Sequence, residues 1–322
     1  MRIFSIIAAI GSAALLAGSA YAQAPLGIAT SNPGSLYHNI GTAVAKAANS
    51  HGLNVTIQPS TSPNQYLPAV GAGQFEFGIA NLQEFDYALQ GKAWFKGHAS
   101  PDLRVVALLY PLKEAIFVRK DSGIKSVGDL KGKRMTDGFT AQHTIIPQLE
   151  AIYATAGLTR DDVVKVQVPS VVAGANAFMA GQTDGFIFAQ GAGKVREADA
   201  AVGGIRALPI PNTPQSVAAI KKHWPTGYLV HMVPGKANPG VLAPGWFIAY
   251  PMMIFTNKNV PDATVEKMAK IIYDSQKEMG QVFAPMKTFD PKKDMVGDVA
   301  PAQYHPGAIA FYKKVGLWKN HK

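Results

Sequence analysis

The chain has 322 residues, 48% of them hydrophobic, and no cysteine; 31 Lys and Arg against 21 Asp and Glu give a net charge of +10. That length suffices for two domains with their own cores, and the lack of thiols excludes disulfide staples, thiol catalysis and thiolate–metal sites. The basic residues are scattered rather than gathered on a face with interleaved aromatics, so no nucleic-acid partner is expected; the charge reads as a mild attraction for anions.

Residues 1–22 read as a secretory leader. Arg2 precedes an apolar run from Ile3 to Leu16, and Ala20-Tyr21-Ala22 supplies a small-x-small cleavage signal. The run is short for a membrane span, against roughly 20 residues needed. The mature chain is expected to start near Gln23, exported and soluble, and an exported chain of this size without cysteine points to a bacterial periplasm.

A short apolar strand from Leu26 then enters the loop Thr30-Ser31-Asn32-Pro33-Gly34-Ser35, which opens a helix. Leu36, Ile40, Ala43, Val44, Ala47 and Ala48 recur at helical spacing, and Ser35, or Asn32 with Pro33 at the first helical position, serves as N-cap. Such a turn aims N–H groups and hydroxyls at the positive end of a helix, a ready anion site. A strand over Val55–Ser60 and an Ala72-Gly73-Gln74 turn into the strand Phe75–Ala80 follow.

The same order recurs. Lys133 to Thr140 leads into a helix through Leu158, then a strand over Val164–Ser170, an Ala180-Gly181-Gln182 turn and a strand to Ala189. Ala72 to Ala180 and Leu26 to Arg134 are both offset by 108 positions, so two copies of one βαβαβ unit are expected. Between them Leu103–Tyr110 runs through Pro111 into Ala115–Arg119, the natural crossover, and Ser126–Leu130 makes a short helical turn.

After the second unit come a strand over Ile205–Ile210, a helix over about Gln215–His223 and a Pro/Gly-rich connection from Pro209 to Pro251. Phe247–Thr256 reads as one strand returning across the crossover, with closing helices over Ala263–Met279 and Pro306–Val315 packed on the first domain. The expected fold is α/β with two lobes, each a mainly parallel sheet flanked by helices, hinged by two crossing strands. Lobe 1 would hold residues 23–112 and 258–322, and lobe 2 residues 113–257. Ligands bind at the carboxyl ends of strands in open α/β sheets, which places a cleft between the lobes, closing by a hinge.

The order of features resembles the TAXI family of extracytoplasmic solute receptors, which serve TRAP transporters and have the type II periplasmic-binding-protein fold. Asn32-Pro33-Gly34-Ser35-Leu36-Tyr37, Gly73-Gln74-Phe75-Glu76-Phe77-Gly78-Ile79, Leu103–Tyr110 and Val118-Arg119-Lys120-Asp121-Ser122-Gly123-Ile124-Lys125-Ser126 carry the likeness. It continues through Asp129-Leu130-Lys131-Gly132-Lys133-Arg134 and His305-Pro306-Gly307-Ala308, over essentially the whole mature chain. Tyr37 is followed by His38 where many members carry two adjacent aromatics. The resemblance implies a periplasmic receptor partnered by TRAP membrane subunits.

No catalytic signature is present: neither a Gly-x-Ser-x-Gly elbow nor His-Glu-x-x-His occurs, and the eight histidines form no pair at ligand spacing. No cofactor or metal is expected. The cleft candidates are Ser31, Asn32, Ser35, Tyr37, Ser60, Thr61, Asn81 and Gln83 from the first unit, and Thr140, Gln142, Ser170 and Gln190 from the second. Helix capping accounts equally well for about half of the Ser and Thr residues. Tyr37 is read as a pocket wall, and Tyr110 and Tyr250 on the crossing strands as its floor. The expected function is capture of a small organic acid anion (a dicarboxylate, an oxo acid or an amino acid such as glutamate) by a monomeric receptor. The alternatives are a secreted enzyme, with only His38, His143 and Glu84 to titrate, and a receptor for a neutral heterocycle sandwiched by Tyr37 and Phe139.

Overall fold

Two stretches of apolar alternation separated by Gly, Ser and Pro turns build one half of the molecule each. In the computed structural model, which describes residues 24–319, the first unit runs β1 (Leu26–Thr30), α1 (Leu36–Ser50), β2 (Val55–Pro59), α2 (Pro63–Gly71), β3 (Phe77–Asn81) and α3 (Leu82–Gln90). The chain crosses through β4 (Leu103–Leu108) and β5 (Leu112–Arg119) to the second unit. That unit comprises β6 (Arg134–Asp137), α4 (Ile146–Ala154), β7 (Val164–Gln167), α5 (Val171–Met179), β8 (Gly185–Ala189) and α6 (Gly193–Ala201). Next come β9 (Ile205–Ala207), α7 (Pro214–His223), β10 (Tyr228–Met232) and β11 (Gly245–Tyr250). The chain returns through β12 (Met252–Asn257) to α8 (Asp262–Asp274), α9 (Gln276–Val282), α10 (Pro291–Asp294) and α11 (Pro306–Lys314). The expected leader, with its cleavage point at Ala22, lies outside the described residues.

The repeat exists in space. β1 pairs in parallel with β2 and β3, and β6 pairs in parallel with β7 and β8. The first sheet has the order β2-β1-β3-β12-β4, in which only β12 runs against its neighbours. The second has the order β10-β11-β5-β8-β6-β7, with β9 also beside β5. It is mixed rather than mainly parallel, because β5 lies antiparallel to both β8 and β11. The closing helices pack on the first sheet: the Tyr312 hydroxyl donates to the Val106 carbonyl at 2.6 Å.

The two crossings lie side by side, Leu112 opposite Tyr250 and Leu108 opposite Met253. A proline interrupts each. The strand expected over Phe247–Thr256 is broken at Pro251, whose nitrogen has no hydrogen to donate. β11 therefore pairs in the second sheet and β12 in the first, so Met252–Asn257 do not share a sheet with the residues before them. Likewise, Ala263–Met279 is two helices parted at Ser275, and the Pro/Gly-rich connection contains β10.

Two glycines set the spacing that brings loop ends together. A Cβ on Gly41 would lie 2.5 Å from Thr30 Cγ2, so α1 can lie against β1 only because that atom is missing. A Cβ on Gly78 would lie 2.4 Å from the Phe255 ring, which fixes the packing of β12 on β3.

Candidate functional site

Loops at the carboxyl ends of β1, β3, β6 and β8 converge beside the crossings, where open α/β sheets take ligands. They enclose a cavity of about 40 Å³, room for a few water molecules. Its walls are apolar: Leu36, Leu112, Ile145, Val171, Phe188 and Ala189. Its polar groups are Ser31, Ser35, Tyr37, Glu84, Glu114, Gln142, Gln148 and Tyr250. Two of these are acids, and no Lys, Arg or His is among the lining residues.

The first acid sits in the opening turn of α3. Asn81 caps that helix, its Oδ1 accepting from the Glu84 N–H at 2.8 Å, while Glu84 Oε2 accepts from the Asn81 N–H at 3.3 Å. The Tyr37 hydroxyl, brought by the first turn of α1, donates to Glu84 Oε2 at 2.9 Å. Asn81 Nδ2 in turn donates to the Tyr37 oxygen at 3.0 Å. An amide thus orients a phenol, and the phenol orients a carboxyl.

The second acid repeats that chain from the other side. Glu114 lies on β5 just past the crossing, and the Tyr250 hydroxyl, from the end of β11, donates to its Oε2 at 3.1 Å. The Gln148 amide on α4, oriented by its hydrogen-bonding partners, donates to the Tyr250 oxygen at 3.0 Å and to Glu114 Oε2 and Oε1 at 2.8 and 3.1 Å. Trp224 packs edge-on against Tyr250, with ring centroids 5.5 Å apart, and holds the ring.

Both carboxyls are 2% exposed, which decides their protonation. Burial pushes Glu84 up to about 7, a rise only partly offset by Thr144, the Asn81 N–H and Tyr37. Burial pushes Glu114 up to about 8; Tyr250 opposes this, and the charge of Glu84 adds to it. The site is thus a pair of coupled acids poised near neutrality.

Of the residues expected in the cleft, Ser31, Ser35, Tyr37, Gln142 and Tyr250 line the cavity. Ser31 Oγ is buried there without a hydrogen-bond partner. Ser35 also caps α1, accepting from the His38 N–H at 3.2 Å, and Gln142 Oε1 holds the Val171 N–H at 3.0 Å, opening α5. Asn81 stands one shell back, behind Tyr37. The others lie elsewhere among the described residues. Thr140 is exposed, and Asn32, its equivalent in the repeat, is half-buried outside the lining. Ser60 holds the Thr30 carbonyl through its own N–H at 2.8 Å. Gln83 Oε1 accepts from the Thr226 N–H at 3.3 Å, tying α3 to the loop after α7. Gln190 Nε2 donates to the Pro239 carbonyl at 2.8 Å. Thr61 and Ser170 do not reach the cavity, and Ser170 is the N-cap of α5. Tyr110 is buried outside the lining, and Phe139 is fully buried, so a Tyr37–Phe139 sandwich does not form there.

The sequence does not single out Glu114 or Gln148, and it offers Glu84 only as a titratable option for an enzyme. Glu114 had a signal: in Leu112-Lys113-Glu114-Ala115-Ile116-Phe117-Val118 it falls in phase with the apolar face of Leu112, Ile116 and Val118. An acid on a strand's buried face needs a reason, and the cavity supplies it. Among the described residues no group of three or more His, Asp or Glu is placed to hold a metal ion.

Solved structures share this architecture at low identity. PhnD1 from Prochlorococcus marinus (MIT 9301), in complex with methylphosphonate, matches with a TM-score of 0.56 and 12% identity, over 91% of this chain and 98% of its own. A protein of Bordetella bronchiseptica RB50 matches at 0.53 and 16%, over 91% and 98% of the two chains. A structure described as a periplasmic transporter matches at 0.56 and 12%, over 92% and 94%. These likenesses establish the fold, that of type II periplasmic binding proteins. The model of the NMT1-like family matches residues 28–316, nearly the whole described chain, with every residue of the cavity inside it. By that match the chain belongs to the NMT1-like family.

Proposed function

We propose that the protein is an exported solute-binding receptor that captures a small solute between its two sheets and hands it to a membrane permease. The observation that carries this reading is a cavity formed by loops of both sheets, lined by two buried carboxyls that each accept a hydrogen bond from a phenol. A cavity of about 40 Å³ is too small for such a solute, so the lobes must part to admit it, and the paired crossings at Tyr110-Pro111 and Pro251 are the natural hinge. The sequence resemblance to TAXI receptors supports a TRAP-type permease as the partner, and the leader-like residues 1–22 support the periplasm as the location.

The solute is one that offers N–H donors. A carboxylate, expected from the loops and the net positive charge, would face two acids with no cation in the lining to balance it. The positive charge of the chain sits on the surface and is not focused here. The same two acids could serve a hydrolase by activating a water between them; their ties to phenols support binding over turnover. Mass spectrometry of the solute released on denaturing protein purified from its own host tests the reading. An amine, amidine or amino-heterocycle is expected, and a solute whose only polar groups are carboxylates would overturn it.

A further inference from the structure

The two halves of the site are built alike. Asn81, Tyr37 and Glu84 from the first sheet, and Gln148, Tyr250 and Glu114 around the second, each run amide to phenol to carboxyl, and both carboxyls end on the same cavity. Because each phenol oxygen already accepts from an amide, its own hydrogen is committed to the carboxyl. Each carboxyl is therefore presented as an acceptor, and the ligand must donate at two places. The walls between them are aliphatic and aromatic, which suits a flat group with apolar faces.

Electrostatics then sets the charge. The groups that face Glu84 are Tyr37 from α1, Tyr66 from α2, Thr144 from the turn before α4 and Glu114 from β5; those that face Glu114 are Tyr250 from β11, the Gln148 amide from α4 and Glu84. None is a cation. Each carboxylate in this desolvated cavity lacks a counter-charge, and the charge of Glu84 further opposes ionisation of Glu114.

Resting on the receptor reading above, we propose that the cavity exchanges one proton for one planar monocation: the empty carboxyl pair keeps a proton, and an amidinium- or guanidinium-like ligand with N–H donors on two edges takes its place. The balance is simple. The protonated pair plus the cation gives the ionised pair holding the cation plus one proton, which leaves for solvent, so the net charge of the cavity is the same before and after. Ser31 Oγ, buried in the lining beside Tyr66, is a further acceptor for a third N–H.

Calorimetric titration of the intact mature protein with acetamidinium, guanidinium and benzamidinium, and with acetate and benzoate as isosteric anions, tests both layers. Repeating each titration at neutral pH in buffers of different ionisation enthalpy counts protons. Binding of the cations with release of about one proton per ligand is the expected result. Glu114→Gln, which fixes a neutral group and leaves only Glu84 to titrate, should reduce that release and weaken the cations about tenfold or more. Cation binding without proton release in the wild-type protein would overturn the exchange and leave the receptor reading intact. Binding of the anions alone, or of no probe, would overturn both.

Discussion

Tyr37 shows how one side chain carries two roles. It is 7% exposed, its position in the first turn of α1 brings it to the cavity wall, and its hydroxyl spans from the Asn81 amide to Glu84. Tyr37→Phe keeps the ring and frees the carboxyl, so it is expected to weaken solute binding by about tenfold, since a hydrogen bond to a charged group contributes roughly 1.5–3 kcal/mol, while the melting temperature moves little. Tyr250→Phe should do the same from the other side. Thr140→Ala is the contrasting case: its side chain is exposed and off the cavity, so binding should be unchanged and stability should stay within about 0.5 kcal/mol. Titration calorimetry beside melting curves reads all three. These residues were unequally legible. Tyr37 stood out because Leu36 and Ile40 already occupied the buried stripe of its helix. Thr140 misled because loop equivalence in the repeat locates a backbone position, not the direction of a side chain. The position that truly corresponds to Tyr37 is Ile145, 108 residues on, and it lines the cavity as an apolar wall.

At the scale of elements, β1-α1-β2-α2-β3 and β6 to β8 were legible because period, turn glycines and caps agree within each copy. The breaks were not. Pro251 in Phe247–Thr256 is flanked by strong strand formers, and only pairing with two different sheets shows that it ends one strand and starts another. Close packing yields the element-scale predictions. Gly78→Ala would drive a methyl into the Phe255 ring and should destabilise the protein by roughly 1–3 kcal/mol, measured by denaturant unfolding. Asn81→Ala removes the cap of α3 and should cost about 1 kcal/mol of stability; it should also weaken solute binding, because Tyr37 loses the amide that orients it.

The whole molecule joins two sheets through paired crossings and sets acids where they meet, and that arrangement couples folding to pH. Burial holds Glu84 and Asp86 up to about 7 and Glu114 up to about 8, above the ordinary 3.8 to 4.5 of free carboxyls. The folded state therefore keeps protons that the unfolded chain has already lost. Their contribution to stability is fully present below about pH 4 and is lost as pH rises through 7 to 8. The melting temperature of the empty protein should accordingly fall across that window, and Glu84→Gln with Glu114→Gln should flatten the fall. Net charge points toward anions, because composition counts surface lysines and buried glutamates alike, whereas the acidic lining of the cavity supports the proposed N–H donor. The most direct measurement of that decision is the dissociation constant of the released natural solute between pH 7 and 8, where the pair holds about one proton. A receptor for an N–H donor that competes with protons for Glu84 and Glu114 should bind more tightly as pH rises, by up to about tenfold per unit. Affinity that instead grows as the medium is acidified would mean that the carboxyls must be neutral to accept an anion, and would contradict the account.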